Sequence, residues 1–270
     1  MQLSLDLDDS SLRLVVLGSG SGGNVLVVES GSRRLMVDAG FSCREIERRL
    51  ALVGVDASEF DGLVLTHEHS DHTRGVKRFA RRHAVPVYAT AGTLNEAGLH
   101  GPEIETHVVA SGRPVQIGSF VIEPFDVPHD AREPIGLVVQ DEAGRRIGVV
   151  ADLGARSQLA WGRLTDLDAL VLESNHDLDM LRSGPYPWPL KQRVASRHGH
   201  LSNREASEGL GELDSSYLQW VVLYHLSRTN NMPALALESA GEALSREGSL
   251  AQLCVAGQFE PTSWMEVTAR

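Results

Sequence analysis

The sequence predicts one domain of mixed α/β (α+β) class, with two mixed β-sheets packed face to face and helices outside. Three observations carry this. Short β-branched runs ended by turn residues alternate with helical segments along the chain. They fall into two halves, in which β-rich meanders alternate with β–α units. No low-complexity linker divides the halves, and 270 residues with 42% hydrophobic content can bury one large core.

The elements follow in order. Leu12–Leu17 is apolar and runs into the Gly/Ser loop Gly18–Gly23. Val25–Glu29 and Leu35–Asp38 read as a hairpin turning at Gly31-Ser32. Ser42–Val53 reads as a helix capped by Ser42, Leu63–Leu65 as a short strand, and Thr73–Arg82 as a helix. A strand at Val85–Tyr88 and a helix at Ala91–Leu99 come next. From about Glu105 to Ala151 the chain is strand-rich, with apolar runs at Phe120–Val127, Ile135–Gln140 and Arg146–Ala151. Leu170–Glu173 and Trp220–Leu223 are strands; Ser202–Gly211, with a capping box at Ser202 and Glu205, and Ala234–Arg246 are helices. Leu250–Val255 is expected to be the last strand, and the Pro-rich Gly184–Pro189 a loop. Asp6, Asp8 and Asp9 interrupt any apolar pattern at the start, so residues 1–10 are expected to be a flexible N-terminus and 11–270 the domain.

Composition narrows the function classes. No stretch approaches the roughly 18 apolar residues of a membrane span, and no basic segment precedes an apolar one as in a secretory leader. The two cysteines, Cys43 and Cys254, do not make a disulfide framework, so a reducing cytoplasm is expected. The net charge of −11 argues against nonspecific nucleic-acid binding, though it leaves room for a local basic groove. All but Lys77 and Lys191 of the 25 basic residues are Arg, whose forked donors suit phosphate; a genomic preference for Arg explains the bias as well.

The chemistry concentrates in His67-x-His69-x-Asp71-His72, directly after a strand. Histidines two apart in an extended turn can face one ion, and the Asp-His pair that follows can turn to a second. Imidazole and carboxylate suit zinc, manganese or iron. Further candidates sit after apolar strands: Asp38, His129 beyond Pro128, Asp152 and His225. Singly, each reads as a satisfied core group, a cap or a turn former; jointly, their placement at strand ends points to a site. Gly18–Gly23 matches G-x-G-x-x-G, but a strand rather than a helix follows, so a dinucleotide reading fails. The loop instead suits close approach of the backbone to the site or to a neighbouring strand.

The order Asp38, His67-x-His69-x-Asp71-His72, His129, Asp152, His225 resembles the metallo-β-lactamase superfamily. The resemblance implies a four-layer αββα sandwich with the site at one edge and two divalent metal ions (Zn, Mn or Fe). His67, His69 and His129 would hold one ion; Asp71, His72 and His225 would hold the other, with Asp152 bridging and Asp38 supporting a ligand by hydrogen bonds. Lactam-opening members usually place a Cys in the second site. Neither Cys is near a motif here, which points towards phosphodiesterases and glyoxalase-like thioesterases.

Gly18–Asn24, His129-Asp130-Ala131, Glu173-Ser174-Asn175-His176-Asp177, Tyr186–Arg193, Gly199–Asn203 and His225–Asn231 are together similar to the WalJ (YycJ) family, from about Leu14 to Val255. That resemblance implies a metal-dependent 5′-to-3′ exonuclease on double-stranded DNA, with DNA as partner and no organic cofactor or membrane. Thr229 stands where the family commonly has Glu. The alternative is a small-molecule hydrolase of the same fold, a cyclic phosphodiesterase or a thioesterase, which the acidic charge favours.

The expected mechanism is a hydroxide shared by two ions attacking phosphorus in line. Asp71 would orient it, and His200 or His176 would protonate the leaving oxygen or hold the phosphate. Asn24, Asn175, His200, Ser202 and Asn203 are the candidate substrate contacts. Arg74, Arg78 and Arg82, at helical spacing, read first as a solvated face. Gly199–Asn203 either presents a helix N-terminus to a phosphate or is closed by the Ser202 cap.

Overall fold

A computed structural model describes residues 11–270, and the expected flexible segment 1–10 lies outside the described residues. The first half runs β1 (Leu12–Gly18), β2 (Val25–Ser30), β3 (Arg33–Val37), α1 (Cys43–Leu52), β4 (Gly62–Val64), α2 (Ser70–Thr73), α3 (Val76–His83), β5 (Val87–Ala89), α4 (Ala91–Glu96) and β6 (Thr106–Val108). The second runs β7 (Val115–Ile117), β8 (Phe120–Asp126), β9 (Ile135–Gln140), β10 (Arg146–Val150), α5 (Gln158–Trp161), β11 (Ala169–Glu173), α6 (Leu178–Ser183), α7 (Trp188–Val194), α8 (Asn203–Leu210), β12 (Trp220–Tyr224), α9 (Pro233–Arg246), β13 (Gln252–Val255) and β14 (Met265–Val267).

Two seven-stranded sheets result, in the orders β14-β1-β2-β3-β4-β5-β6 and β13-β12-β11-β10-β9-β8-β7. Each is antiparallel where hairpins connect its strands and parallel where helices do, from β3 to β6 and from β10 to β13, and β14 adds to β1 antiparallel from the far end of the chain. The facing sides share one core, in which Leu14, Val16, Leu26 and Leu35 meet Phe120, Leu137, Val149 and Val222. The outer side of the first sheet packs on Ile46, Leu50, Val76 and Phe79 of α1 and α3. That of the second packs on Ala160, Ala206, Leu210, Ala236 and Ala240 of α5, α8 and α9. This is the expected four-layer αββα sandwich. Each fully buried Leu, Val or Phe contributes about 1.5–3 kcal/mol by leaving water, so the three cores outweigh any single polar interaction below.

The topology explains the site's position. β3 and β4 are parallel. β8 is antiparallel to β9 and β9 to β10, so β8 runs with β10, β11 and β12. The C-terminal ends of β8, β10, β11 and β12 therefore share one edge of their sheet, as those of β3 and β4 do in theirs.

Four expectations need correction. The helix expected at Thr73–Arg82 is two helices, α2 and α3, that break at Arg74-Gly75. Gly75 N–H donates to Ala39 O at 2.8 Å, and a Cβ there would lie 2.2 Å from Phe41 O, so close backbone packing outranks the helical pattern. The helix expected at Ala91–Leu99 stops at Glu96, and Gly98 turns the chain with φ of 61°. Trp188 and Pro189, expected in a loop, form the first turn of α7, because proline is tolerated where helix N–H groups have no partner. β13 is not the last strand: β14 returns across the molecule to pair with β1, Met265 opposite Leu14.

Candidate metal centre

The sharp turns off the strands are built by residues of the site. Asp38 follows β3 with φ of 60°, and His225 follows β12 with φ of 55°. Such left-handed backbone is uncommon outside glycine and costs about 1–3 kcal/mol, so it persists only where surrounding contacts enforce it. Asp38 N–H donates to Val64 O at 2.9 Å, and His225 N–H to Ser19 Oγ at 2.7 Å. The glycine loop does bring backbone to the site. Asn24 N–H donates to Asp71 O at 2.8 Å, and at Gly40 a Cβ would lie 1.7 Å from that same carbonyl oxygen.

Seven side chains from four strand ends converge. Ligand atoms of His67, His69, His129 and Asp152 lie within 4.8 Å of one another, as do those of Asp71, His72 and His225. Asp152 stands between the groups. Its Oδ2 is 3.6 Å from His67 Nε2 and 3.4 Å from His129 Nε2; its Oδ1 is 3.5 Å from His72 Nε2 and 3.1 Å from His225 Nδ1. Asp71 Oδ2 lies 3.3 Å from His225 Nε2 and 3.9 Å from His72 Nε2. Except for His69 and Asp71, all are buried.

Behind them, a second set of contacts fixes ring orientations. Asp38 Oδ2 is 2.7 Å from His72 Nδ1, while the Asp38 carboxylate also accepts from Thr66 N–H and Oγ1. His129 Nδ1 donates to Gly199 O at 2.9 Å. Glu173, fully buried at the end of β11, accepts from the backbone of Leu153 and Leu201 and lies 2.7 Å from His200 Nδ1 and 3.0 Å from His225 Nδ1. Glu173 lies in the Glu173–Asp177 motif, but the sequence alone assigns it no role. A carboxylate ending a fully apolar strand, Ala169-Leu170-Val171-Leu172, was the signal available.

The electrostatics follow from burying many ionisable groups together. Burial works against a charged His72, but the Asp152 and Asp38 carboxylates outweigh it and hold this imidazole up at about 10. His225 is likewise raised against its burial by Asp152, Asp71 and Glu173. Burial lowers His67 well below the ordinary histidine value, with His72 beside it adding to the effect, and lowers His129. Asp152 is held well below the usual carboxylate range, because His225 and His72 outweigh its burial. His200 is raised against its burial by Glu173.

The other sequence candidates fare differently. His200 joins the site, with its side chain 22% exposed and Nε2 without a hydrogen bond among the described residues. His176 is 1% exposed, and among the described residues neither ring nitrogen has a hydrogen bond and no ion pair or ring contact joins it to the cluster; burial keeps it from a solvent-borne leaving group. Asn24, Asn175, Ser202 and Asn203 are buried and committed within the protein. Asn24 Oδ1 accepts from Gly20 N–H and Ser19 Oγ; Asn175 Nδ2 donates to His225 O. Ser202 closes the capping box with Glu205, and Asn203 bonds Ser174 and Asn231. They brace the site's loops and leave little surface for a substrate. The Arg74–Arg82 face is solvated, with Arg81 paired to Glu103 and Arg82 to Glu47.

Comparison with known proteins agrees with this arrangement. The β-lactamase superfamily domain matches residues 33–225. The chain is 35% identical to the exodeoxyribonuclease YycJ of Bacillus anthracis over 88% of its length and 90% of the relative's. It is 33% identical to the exodeoxyribonuclease WalJ of Streptococcus pneumoniae over 85% and 87%. Among solved structures, the metallo-β-lactamase fold protein YhfI of Bacillus subtilis superposes with a TM-score of 0.75 at 17% identity, covering 95% of this chain and 99% of that one. Zn²⁺-bound PqqB of Methylobacterium extorquens gives 0.70 at 17% identity, covering 93% and 99%.

Proposed function

This chain belongs to the metallo-β-lactamase superfamily, in the family of YycJ and WalJ, and from that premise we propose that it is a metal-dependent exodeoxyribonuclease whose reaction centre is the cluster around Asp152. The 5′-to-3′ polarity on duplex DNA belongs to the same proposal, as does a reducing cytoplasm, in keeping with the free Cys43 and Cys254.

The carrying observation is the position of Asp152 between two groups of imidazoles, one carboxylate oxygen toward each. The donor set fits divalent ions. Among the described residues, His67 Nε2 and Asp152 Oδ1 are buried without a hydrogen bond, and such atoms left unmet cost about 1–3 kcal/mol each. The spacings of 3.4–3.6 Å from Asp152 to His67, His129 and His72 also match the edge of a tetrahedron with metal–ligand bonds of about 2.0–2.1 Å, roughly 3.3–3.4 Å. His67, His69, His129 and Asp152 would hold one ion and Asp71, His72, His225 and Asp152 the other.

Ions held there supply Lewis acidity and a more acidic water. The chain's own residues do the rest. Asp38 fixes the His72 ring through Nδ1 and leaves Nε2 toward Asp152. The Gly199 carbonyl does the same for His129, leaving Nε2 for the cluster. Asp71, the more open carboxylate, orients the attacking water beside its bond to His225. Glu173 holds the proton on His200 Nδ1, so His200 can donate from Nε2 to the leaving oxygen.

The test is incubation of purified protein and Mn²⁺ or Zn²⁺ with end-labelled duplex DNA, beside a chromogenic phosphodiester and a thioester. Metal-dependent loss of nucleotides from DNA ends is expected. Turnover of only the small diester or the thioester overturns the reading.

A further inference from the structure

We infer that α7 is the element that grips the DNA end, with Trp188 stacking on an exposed base and Lys191 and Arg197 meeting the backbone phosphates; this rests on the exodeoxyribonuclease reading. Three observations combine. First, α7 buries none of its residues, and Trp188 is 67% exposed, whereas Trp161 is 8% exposed. An indole held in water by an ordered helix contributes nothing to the three cores. Pro185, Pro187 and Pro189 surround it and stiffen the backbone that presents it.

Second, the stretch of sequence that carries it is basic, against the acidic balance of the chain. From Gly184 to His200 there is no Asp or Glu, while Lys191, Arg193 and Arg197 fall there, in a chain of net charge −11. Arg197 is exposed and has no ion pair among the described residues. A local positive stretch on an acidic body is the electrostatic footprint of a phosphate backbone.

Third, this stretch is anchored to the site. Val194 O accepts from His200 N–H at 2.9 Å, and Gly199 packs so closely beneath α7 that a Cβ would lie 2.2 Å from both Arg193 O and Val194 O. Arg193 pairs with Asp130 at 2.6 Å, and Asp130 Oδ1 is 3.4 Å from His129 Nε2. Six helical steps separate Trp188 from Val194, about 9 Å at 1.5 Å per residue. At about 3.4 Å per nucleotide, Trp188 is spaced from the His200 anchor by two or three nucleotides. Bases inside an intact duplex are covered by their neighbours. An aromatic side chain meets a free base face only at an end or on a frayed strand, and there stacking is tolerant of sequence. An exposed Trp at this distance favours ends over internal sites.

The experiment uses the metal-loaded full chain and a blunt duplex with phosphorothioate ends, which resist hydrolysis. Kd is read by fluorescence anisotropy, and KM and kcat on ordinary duplex in parallel. W188A is expected to weaken Kd and raise KM by roughly tenfold or more. Its turnover of a base-free chromogenic diester should be unchanged, and W188F should recover most of the binding. Equal Kd for wild type and W188A overturns the inference even if DNA is degraded, as does an equal loss on the base-free diester. Tryptophan-dependent binding without degradation overturns the exonuclease reading and leaves this one standing.

Discussion

Glu173 Oε1 lies 2.7 Å from His200 Nδ1, and the carboxylate that makes this contact is completely buried. A buried carboxylate tied to two imidazoles and two backbone N–H groups sets proton positions in the site, and its removal has a directional consequence. Glu173 raises the His200 pKa above its ordinary value. Glu173→Gln keeps the shape but removes the charge, so the His200 pKa falls. If His200 acts as an acid, activity is present below its pKa and lost above it, so the alkaline limb of kcat against pH moves to lower pH. A loss of about 10–100-fold in kcat at neutral pH accompanies the shift. An unchanged pH profile would remove Glu173 from this role.

Asp38 holds His72 at 2.7 Å from a left-handed backbone position. Asparagine tolerates that backbone, so Asp38→Asn isolates the charge. Metal affinity, measured by competition with a chelator, is expected to fall about 10–100-fold while thermal stability without metal changes much less.

Gly40 has no room for a side chain, since its Cβ would sit 1.7 Å from Asp71 O and 2.6 Å from Asn24 N. Both neighbours are backbone, so no rotamer change relieves the clash. Gly40→Ala is expected to cost about 2 kcal/mol or more and to displace Asp71, lowering Tm and abolishing turnover together. A variant with normal Tm and activity would contradict the close packing.

Metal loading should release protons. His72 is held up at about 10, so without an ion its ring is charged at neutral pH, and His225 is shifted in the same direction. Ligation needs the unprotonated nitrogen, so binding expels roughly one proton or more per chain near pH 7, and affinity falls as pH falls. Titrating metal into weakly buffered protein with an indicator dye measures this; no release would contradict it.

Much of this was legible in the sequence for a physical reason. Asp38, Asp152 and His225 each close an apolar run and His129 follows the largely apolar Phe120–Val127, so all four can be found without knowing what faces them. Two facing sheets with helices outside follow from the alternation of meanders and β–α units, and the αββα sandwich with its site at one edge from the resemblance to the metallo-β-lactamase superfamily. The rest depends on contacts far apart in the chain. β14 is three residues long and forms only because β1, some 250 positions earlier, offers it an edge. The break at Gly75 answers to Phe41 and Ala39, which no local pattern reveals. Asn24, Asn175, Ser202 and Asn203 looked like substrate contacts because polar residues beside a site resemble one another in sequence. Only burial shows that they hold loops together. Glu173 escaped notice for the converse reason, since a buried acidic residue reads as a strand end until its two histidines are seen beside it.

The central claim is that the Asp152 carboxylate sits between two divalent ions. Anomalous diffraction from crystals grown with Mn²⁺ or Zn²⁺ tests it most directly. The account predicts two peaks, one against His67, His69 and His129 and one against Asp71, His72 and His225, with an oxygen of Asp152 next to each. Crystals in which neither group of side chains holds a peak, at metal concentrations that support activity, would contradict it.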